Sequence, residues 1–267
     1  MIEPMRHWFR LLAAGCLAAQ LLAADDGFTT PAPPAQAPVN LNHPPRVFFC
    51  RPLRGWTVWI EQQIAEQDPV LLTNVVRRLD AKLGELLRIL PPHTHPVLRQ
   101  VRLFVLLGPQ SHGGGRDNGL EYFQRRAPEF SADLDPRMGS GIVIYSAANF
   151  VWLSDLWARK ALVHEFAHAW QLEQWPEDEP RILGAWRNAQ QRDLYRSVRN
   201  DDGGLTADAY ARVNQLEYFA ELSCMYFVGC NYAPFNRAEF AAYDPDGWGM
   251  VKLVWGIGPA PRKRHRP

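Results

Sequence analysis

The feature that most constrains this chain is an apolar helical segment interrupted by two histidines and a glutamate. Residues 155–174, which end before Pro176, form the predicted helix. His164 and His168 are four residues apart, so they lie on one face, one turn above the other. Their apolar neighbours indicate burial, and buried polar groups need partners: Leu162, Val163, Phe166, Ala167, Ala169 and Trp170. Two imidazoles so placed can reach one zinc ion, with Glu165 directed toward a zinc-bound water; a solvated histidine pair is the competing interpretation.

A second helix, predicted over residues 213–228, carries Glu217 and Glu221 four residues apart. Their neighbours are again apolar, so two unpaired carboxylates would be costly to bury: Leu216, Tyr218, Phe219, Ala220 and Leu222. If Glu217 is the third protein ligand, Glu221 can accept the free N–H of a ligating histidine. The alternative is a solvated acidic face that pairs with arginines.

The two motifs together resemble the zincin metallopeptidases with a glutamate as third ligand (gluzincins), specifically a bacterial secreted branch of the lethal-factor-like (ATLF-like) peptidase domain. That family's active-site helix reads His-Glu-Phe-X-His-Ala, as residues 164–169 do. Its second motif runs from a tyrosine through an asparagine to Glu-Phe/Tyr-Phe-Ala-Glu, matched by Tyr210, Asn214 and residues 217–221. The specific resemblance spans roughly residues 141–256, and the first half of the chain matches only in general layout.

The resemblance implies that His164, His168 and Glu217 ligate one zinc ion and that Glu165 is the general base of peptide-bond hydrolysis. Tyr210 would donate its phenolic proton to the oxyanion. These roles agree with the chemistry, since zinc acidifies water and polarises a carbonyl, and a glutamate can take up and return the proton.

Glu221 and Asn214 are expected to support the ligands from behind. By analogy with zincins, the strand at residues 141–145 would border the cleft, and an extended peptide or protein substrate could add to its edge. Two other functions share these residues. One is a non-catalytic zinc-binding envelope protein that keeps the scaffold for binding, and the other is a zinc hydrolase that acts on a cell-wall amide.

The chain begins with the pattern of a secretory signal peptide, assigned to residues 1–24. Arg6 and Arg10 precede an apolar run that is shorter than the roughly twenty residues of a membrane-spanning helix. We therefore expect an exported protein, periplasmic, envelope-bound or secreted, with no integral membrane span in its mature form. Cys16 leaves lipidation open as an alternative. Residues 25–45, rich in Pro and Ala, are expected to form an extended tether.

Charge argues against a nucleic-acid partner, because 29 basic residues oppose 28 acidic ones. The basic residues of the last segment, 259–267, are expected to be a solvated tail. Signal-peptide cleavage would leave three cysteines, Cys50, Cys224 and Cys230. Cys224 and Cys230 could form a disulfide in an exported protein or remain two buried thiols.

The predicted fold class is α+β, because strands come first and helices later without βαβ alternation. We expect a zincin-like domain over residues 46–258, with a small mixed sheet packed on the active-site helix and a mainly helical C-terminal subdomain. Strands are predicted at 56–60, 101–107 and 141–145, helices at 68–90, 155–174, 181–198 and 213–228, and a mobile glycine-rich loop at 108–119.

Two further sets of residues are expected to be structural. His93 and His95 lie between prolines and are interpreted as a surface loop. Five tryptophans are interpreted as core side chains rather than a ligand platform: Trp152, Trp157, Trp170, Trp175 and Trp186.

Overall fold

The computed structural model describes residues 39–258. The predicted signal peptide with Cys16, most of the predicted tether and the basic tail at 259–267 lie outside the described residues. Among residues 39–258, no helix is both long enough and apolar enough to cross a membrane.

A five-stranded mixed sheet forms the first half of the domain. Its strands are β1 (Phe48–Leu53), β2 (Trp56–Glu61), β3 (Arg102–Val105), β4 (Leu120–Phe123) and β5 (Gly141–Ile144). The order across the sheet is β1-β2-β3-β5-β4. Strands β2, β3 and β5 are parallel, whereas β1 and β4 run antiparallel to their neighbours at the two edges. A separate antiparallel pair, β6 (Ser197–Arg199) and β7 (Leu205–Ala207), is joined by a turn at residues 201–204.

Helices cover one face of the sheet and make up most of the second half. They are α1 (Gln62–Gln67), α2 (Pro69–Ile89), α3 (His95–Leu98), α4 (Ala127–Phe130), α5 (Ala147–Trp152), α6 (Asp155–Gln174), α7 (Pro180–Gln191), α8 (Gln215–Phe227), α9 (Arg237–Tyr243) and α10 (Pro245–Val254). The start of α2 follows from its sequence, because the Asp68 side chain accepts from Leu71 N at 2.8 Å and Pro69 takes the first helical position.

The α+β class is confirmed, but the expected lack of βαβ alternation is wrong. Strands β2 and β3 are parallel neighbours, and α1 and α2 form the connection between them. Parallel strands need such a crossover, which here is dominated by the long helix α2. The C-terminal half is mainly helical, as expected.

The sheet's second face is covered by loops, and this moves the boundary of the predicted tether. Leu41, Leu134 and Met138 pack with Phe104 and Val143 on the face opposite the main helices. Leu41 is 3% exposed, and its N–H donates to the carbonyl of Asp133. The predicted tether reaches residue 45, but residues 39–45 belong to the packed domain. They help to cover an apolar sheet face that would otherwise be exposed.

The strand at residues 141–145 does not form an edge of the sheet. The edge on its side is β4, a strand that the sequence does not predict. Strand β5 lies between β3 and β4, so both of its edges are paired. The short β4 follows the glycine-rich loop and alternates buried Leu120 and Tyr122 with half-buried Glu121 and Phe123. Four residues give too short a pattern for a confident strand prediction.

The helix predicted over 181–198 is also too long, since α7 ends at Gln191. Asp193 and Tyr195 take left-handed backbone angles, with φ of 53° and 63°, which a helix cannot continue. Tyr195 is thereby fully buried and its hydroxyl lies 3.1 Å from Asp244 Oδ2. Tertiary packing of one aromatic side chain therefore ends the helix early.

The five tryptophans expected in the core differ in burial. Trp170 is buried, but Trp152 is 83% exposed, so the prediction that all five tryptophans lie in the core is wrong at Trp152. Trp157, Trp175 and Trp186 are half-buried.

The segment with His93 and His95 is a 3-10 turn followed by α3, which begins at His95. His93 is exposed, and His95 Nε2 lies 3.1 Å from the Leu90 carbonyl.

A buried ion pair attaches the glycine-rich loop to the sheet. Arg46 Nη1 donates to Glu61 Oε1 and to Ser111 Oγ, each at 2.8 Å. Its Nη2 donates to the carbonyls of Gly113 and Gly114. The side chains of Arg46 and Glu61 are 1% and 0% exposed. One guanidinium thus connects the end of β2 with the loop that precedes the edge strand.

Replacing Arg46 with Met is expected to lower the free energy of unfolding by about 3–5 kcal/mol, because it leaves the Glu61 carboxylate buried without its cation. Urea unfolding followed by circular dichroism measures the loss. The matched control is Arg54→Met, which breaks the exposed Arg54–Asp80 pair and should change stability far less. Equal losses in the two variants would contradict the importance assigned to the buried pair.

Candidate metal centre and active site

Helix α6 carries the first half of the site through the middle of the core. Ser154 caps its start, with Oγ accepting from Trp157 N at 3.2 Å. His164 is fully buried and His168 is 7% exposed. The apolar side chains of the same segment fill the space around the helix, so the two imidazoles lie in an environment with little water.

Helix α8 packs along α6 and supplies the carboxylates. The Asn214 side chain accepts from both Leu216 N and Glu217 N at 2.9 Å, so it caps the helix and fixes the backbone of Glu217. Asn214 therefore supports the site through this cap. Glu217 and Glu221 are 5% and 0% exposed and face α6.

The three residues expected to be metal ligands converge at one point. His164 Nε2 lies 3.0 Å from Glu217 Oε2 and 3.1 Å from His168 Nε2, and His168 Nε2 lies 3.3 Å from Glu217 Oε2. Atoms at these spacings lie on a circle of radius about 1.8 Å, so a point about 2 Å from all three exists, which matches zinc–ligand bond lengths. Tetrahedral ligands around zinc are separated by roughly the same distances.

The protons of these groups indicate that the triangle favours positive charge, which a proton on an imidazole or a bound metal ion can supply. His164 Nδ1 lies 2.9 Å from Glu221 Oε1, and a carboxylate only accepts, so Nδ1 carries the proton. In a neutral imidazole, Nε2 then presents a lone pair toward a second carboxylate, that of Glu217. Although burial opposes it, contacts with Cys224, Glu217 and Glu221 raise the pKa of His164 well above its ordinary value, so positive charge is favoured here.

The charge of the buried groups leads to the same requirement. Glu165, Glu217 and Glu221 are all at most 5% exposed, whereas Lys160 is the ammonium that faces them, through Glu221. One lysine and one divalent cation would balance three carboxylates. Two imidazoles and a carboxylate, with room for a fourth ligand, form a donor set that suits catalytic zinc.

A second group of donors, His164, Glu221 and Cys224, also lies within 4.8 Å, but it is a poorer metal site. Lys160 Nζ donates to Glu221 Oε2 at 2.9 Å and already supplies a cation at this carboxylate. Burial raises the pKa of the Cys224 thiol, whereas a metal ligand must be a thiolate. The Cys224 Sγ donates to the Lys160 carbonyl instead.

Glu165 lies beside the triangle and is held by the edge strand. Its Oε2 accepts from Tyr122 N at 2.8 Å. Burial raises the pKa of Glu165 to about 7, although His164, His168 and the hydrogen bond from Tyr122 lower it. The carboxylate is therefore oriented by a backbone group of β4 and lies next to the candidate ligands.

Tyr210 approaches the same point from the turn before α8. It lies in the 3-10 turn Tyr210–Arg212, and its ring centroid is 5.8 Å from that of His164. Burial and the charges of Glu217 and Glu165 raise the pKa of Tyr210, as does a hydrogen bond to Glu217. The phenol therefore stays protonated and acts as a donor, here to Glu217.

The sequence did not identify three participants. Lys160 lies one helical turn before His164, a spacing that could have identified it. Tyr232 contacts Glu221 from a loop and accepts from Ala211 N at 3.2 Å, and no local pattern indicated this. The third is the β4 backbone at Tyr122.

The three cysteines within residues 39–258 are free thiols. Cys224 and Cys230 are buried and Cys50 is exposed, so the disulfide interpretation is wrong and that of two buried thiols is confirmed. Cys230 Sγ lies 3.6 Å from Glu221 Oε2, so it packs directly against the support of the candidate site.

Comparison with known proteins gives no assignment. The chain matches no protein-family model, and searches of curated proteins and solved structures find no significant match. The function must therefore be argued from the geometry of the site.

The purified protein is expected to hold about one zinc ion per chain, since the two donor groups found within residues 39–258 share His164 and the triangle of His164, His168 and Glu217 is the better site. Glu217→Gln should weaken zinc binding by more than roughly 100-fold, because residues that only support such ligands already contribute about 10–100-fold. Metal analysis after dialysis against a weak chelator measures both. His95→Ala, at the start of α3, is the control and should keep its zinc; wild-type protein that takes up no added zinc would refute the site.

Proposed function

We propose that this chain is an exported zinc-dependent metallopeptidase that hydrolyses peptide bonds with Glu165 as general base. The observation that carries the proposal is the convergence of His164 Nε2, His168 Nε2 and Glu217 Oε2, with Glu165 near enough to interact electrostatically with all three residues. Export rests on the signal-peptide pattern of residues 1–24.

The ligand set supports a catalytic site over a structural one. His164, His168 and Glu217 would hold the ion, and three protein ligands leave the fourth position open. When bound there, zinc would supply a Lewis acid for the scissile carbonyl and for a water molecule. A purely structural site has no need of a glutamate and a tyrosine that both interact with its ligands, so Glu165 and Tyr210 favour catalysis.

Glu165 is suited to move the proton. A carboxylate in this position can accept a proton from the attacking water and later give it to the leaving amine. The hydrogen bond from Tyr122 N occupies Oε2, so Oε1 is the oxygen left for this exchange. The amide donor also restrains the carboxylate in one orientation, which reduces the reorganisation needed during reaction.

Tyr210 is suited to stabilise developing negative charge. Its phenol remains protonated next to the ligands and can donate to an oxyanion as the carbonyl becomes tetrahedral. The turn that carries Tyr210 is fixed at its next residue, where Ala211 N donates to the Tyr232 hydroxyl. The backbone that carries the Tyr210 hydroxyl is therefore already in place before substrate binds.

The outer edge of β4 is the proposed docking edge for an extended peptide. Alternate residues of an antiparallel strand direct their backbone groups to the same side, and the Gly119 carbonyl and the β4–β5 pairing place Leu120 and Tyr122 on the unpaired side. Since Tyr122 N is already bonded to Glu165, a peptide added here would lie against the general base.

Glu165→Gln is expected to lower cleavage by roughly 10²–10⁴-fold, because the amide cannot accept the proton, while zinc content stays at the wild-type level. Digestion of a broad peptide library, read by mass spectrometry, measures cleavage, and metal analysis measures zinc. The exposed Glu66→Gln is the matched control and should cleave normally. Undiminished cleavage by zinc-loaded Glu165→Gln would exclude the assigned base; a zinc-loaded wild type that leaves the library intact would favour the non-catalytic alternative.

Tyr210→Phe is expected to reduce kcat by roughly 10²–10³-fold with KM and zinc content little changed, because only the oxyanion donor is lost. Steady-state kinetics on a peptide found in the library digest separates the two constants. Tyr226→Phe is the control, since that hydroxyl accepts from Arg237 away from the ligands. A rise in KM with unchanged kcat would assign Tyr210 to substrate binding instead.

A further inference from the structure

Lys160 occupies an unusual place behind the candidate metal centre. It lies on α6 one turn before His164 and is 0% exposed. Its Nζ donates to Glu221 Oε2 at 2.9 Å and to Asn231 Oδ1 at 2.7 Å. A fully buried ammonium is costly unless it is paired, so its position is fixed by these two acceptors.

The two oxygens of Glu221 are divided between two different tasks. Oε2 accepts from Lys160, whereas Oε1 lies 2.9 Å from Nδ1 of His164. Because Lys160 bonds one oxygen, and Cys230 and Tyr232 also contact the carboxylate, its rotation away from the imidazole is restrained. The ring of His164 is thereby oriented with Nε2 toward Glu217 and His168.

We propose that Lys160 is a positioning residue for the metal ligands: it acts through Glu221 to orient His164 and so sets the affinity and the geometry of the bound ion. The inference rests on the proposed function in that it takes the triangle of His164, His168 and Glu217 to be a zinc site. Lys160 neither ligates the ion nor touches the substrate. Its action is transmitted along one line of hydrogen bonds, from ammonium to carboxylate to imidazole.

The same chain contains a lysine that serves as a matched control. Lys82 is 4% exposed, and its Nζ lies 3.0 Å from Glu85 and 2.9 Å from Asp155. It is therefore a second buried, ion-paired lysine, but it joins α2 to the start of α6 and has no contact with the ligands. A loss that follows from removing a buried lysine in general would appear in both variants. The partner carboxylates of Lys82 are 26% and 74% exposed, so the effect of an unpaired buried acid is tested separately, in the Glu221→Gln background.

The test compares Lys160→Met with Lys82→Met, each in the full chain. Zinc affinity is measured by competition with a chromophoric chelator, and the visible absorption of the Co²⁺-substituted protein reports the geometry of the ligands. Lys160→Met is expected to bind zinc about 10–100-fold more weakly, with an altered Co²⁺ spectrum, as typical for lost support of a metal-binding histidine. Lys82→Met should match the wild type in both.

A second comparison shows whether Lys160 acts through Glu221, and it remains decisive if Lys160→Met alone does not fold. In a Glu221→Gln background, which removes the unpaired buried charge, adding Lys160→Met should change zinc affinity by less than about 2-fold, because contacts in one network are not additive. A further large loss in that background would overturn the proposed route.

The outcomes also separate this inference from the proposed function. Wild-type zinc affinity and Co²⁺ spectrum in folded Lys160→Met would refute the positioning role while the metallopeptidase proposal stands. Wild-type protein that binds neither zinc nor Co²⁺ would refute both. A zinc-loaded protein without peptidase activity would refute the peptidase alone, since the expected affinity difference does not depend on cleavage.

Discussion

The structure depends on one constraint: five ionisable side chains of two apolar helices are buried together and must satisfy one another. Helices α6 and α8 pack so that Lys160, Glu221, His164, Glu217 and His168 form a continuous series of polar contacts at 2.9–3.3 Å. Each of these groups would be costly to bury alone. The packing of the helices and the convergence of the candidate ligands are therefore one structural fact, because neither helix could be buried without the other's polar side chains.

This constraint also explains why the surrounding structure is so apolar. The hydrogen bonds in the series gain strength in a medium with little water, but only if every member is satisfied. Phe166 and Phe219 are fully buried next to the polar side chains and help to exclude water from them. Outside the series, Asn214 fixes the backbone of Glu217 and Tyr232 contacts Glu221, so that both carboxylates are oriented by groups from different segments.

The sequence predicts those parts that depend on contacts four residues apart and fails where distant segments meet. Helical spacing is sufficient for α6 and α8 and for the pairs that face each other across them. It gives no information on strand β4, on the early end of α7 at the buried Tyr195, or on Trp152, whose 83% exposure depends on what packs nearby. Helical spacing could have placed Lys160 on the same face as His164, but its partner Asn231 is 71 residues away in the sequence.

In the proposed function, strand β4 would link substrate binding to catalysis through its backbone and not through side-chain chemistry alone. The carboxylate of Glu165 is oriented by the backbone N–H of Tyr122, on the unpaired side of the edge strand. A peptide added to that edge and the carboxylate of the proposed base would both be bonded to the backbone of β4. Their separation would then be set by this strand and not by a flexible side chain. Every residue except proline supplies that N–H, so the orientation of Glu165 is determined by the fold of β4 and hardly at all by the residue at position 122. For this reason the proposed general base could be found from its motif, whereas the strand that orients it became visible only in the folded chain.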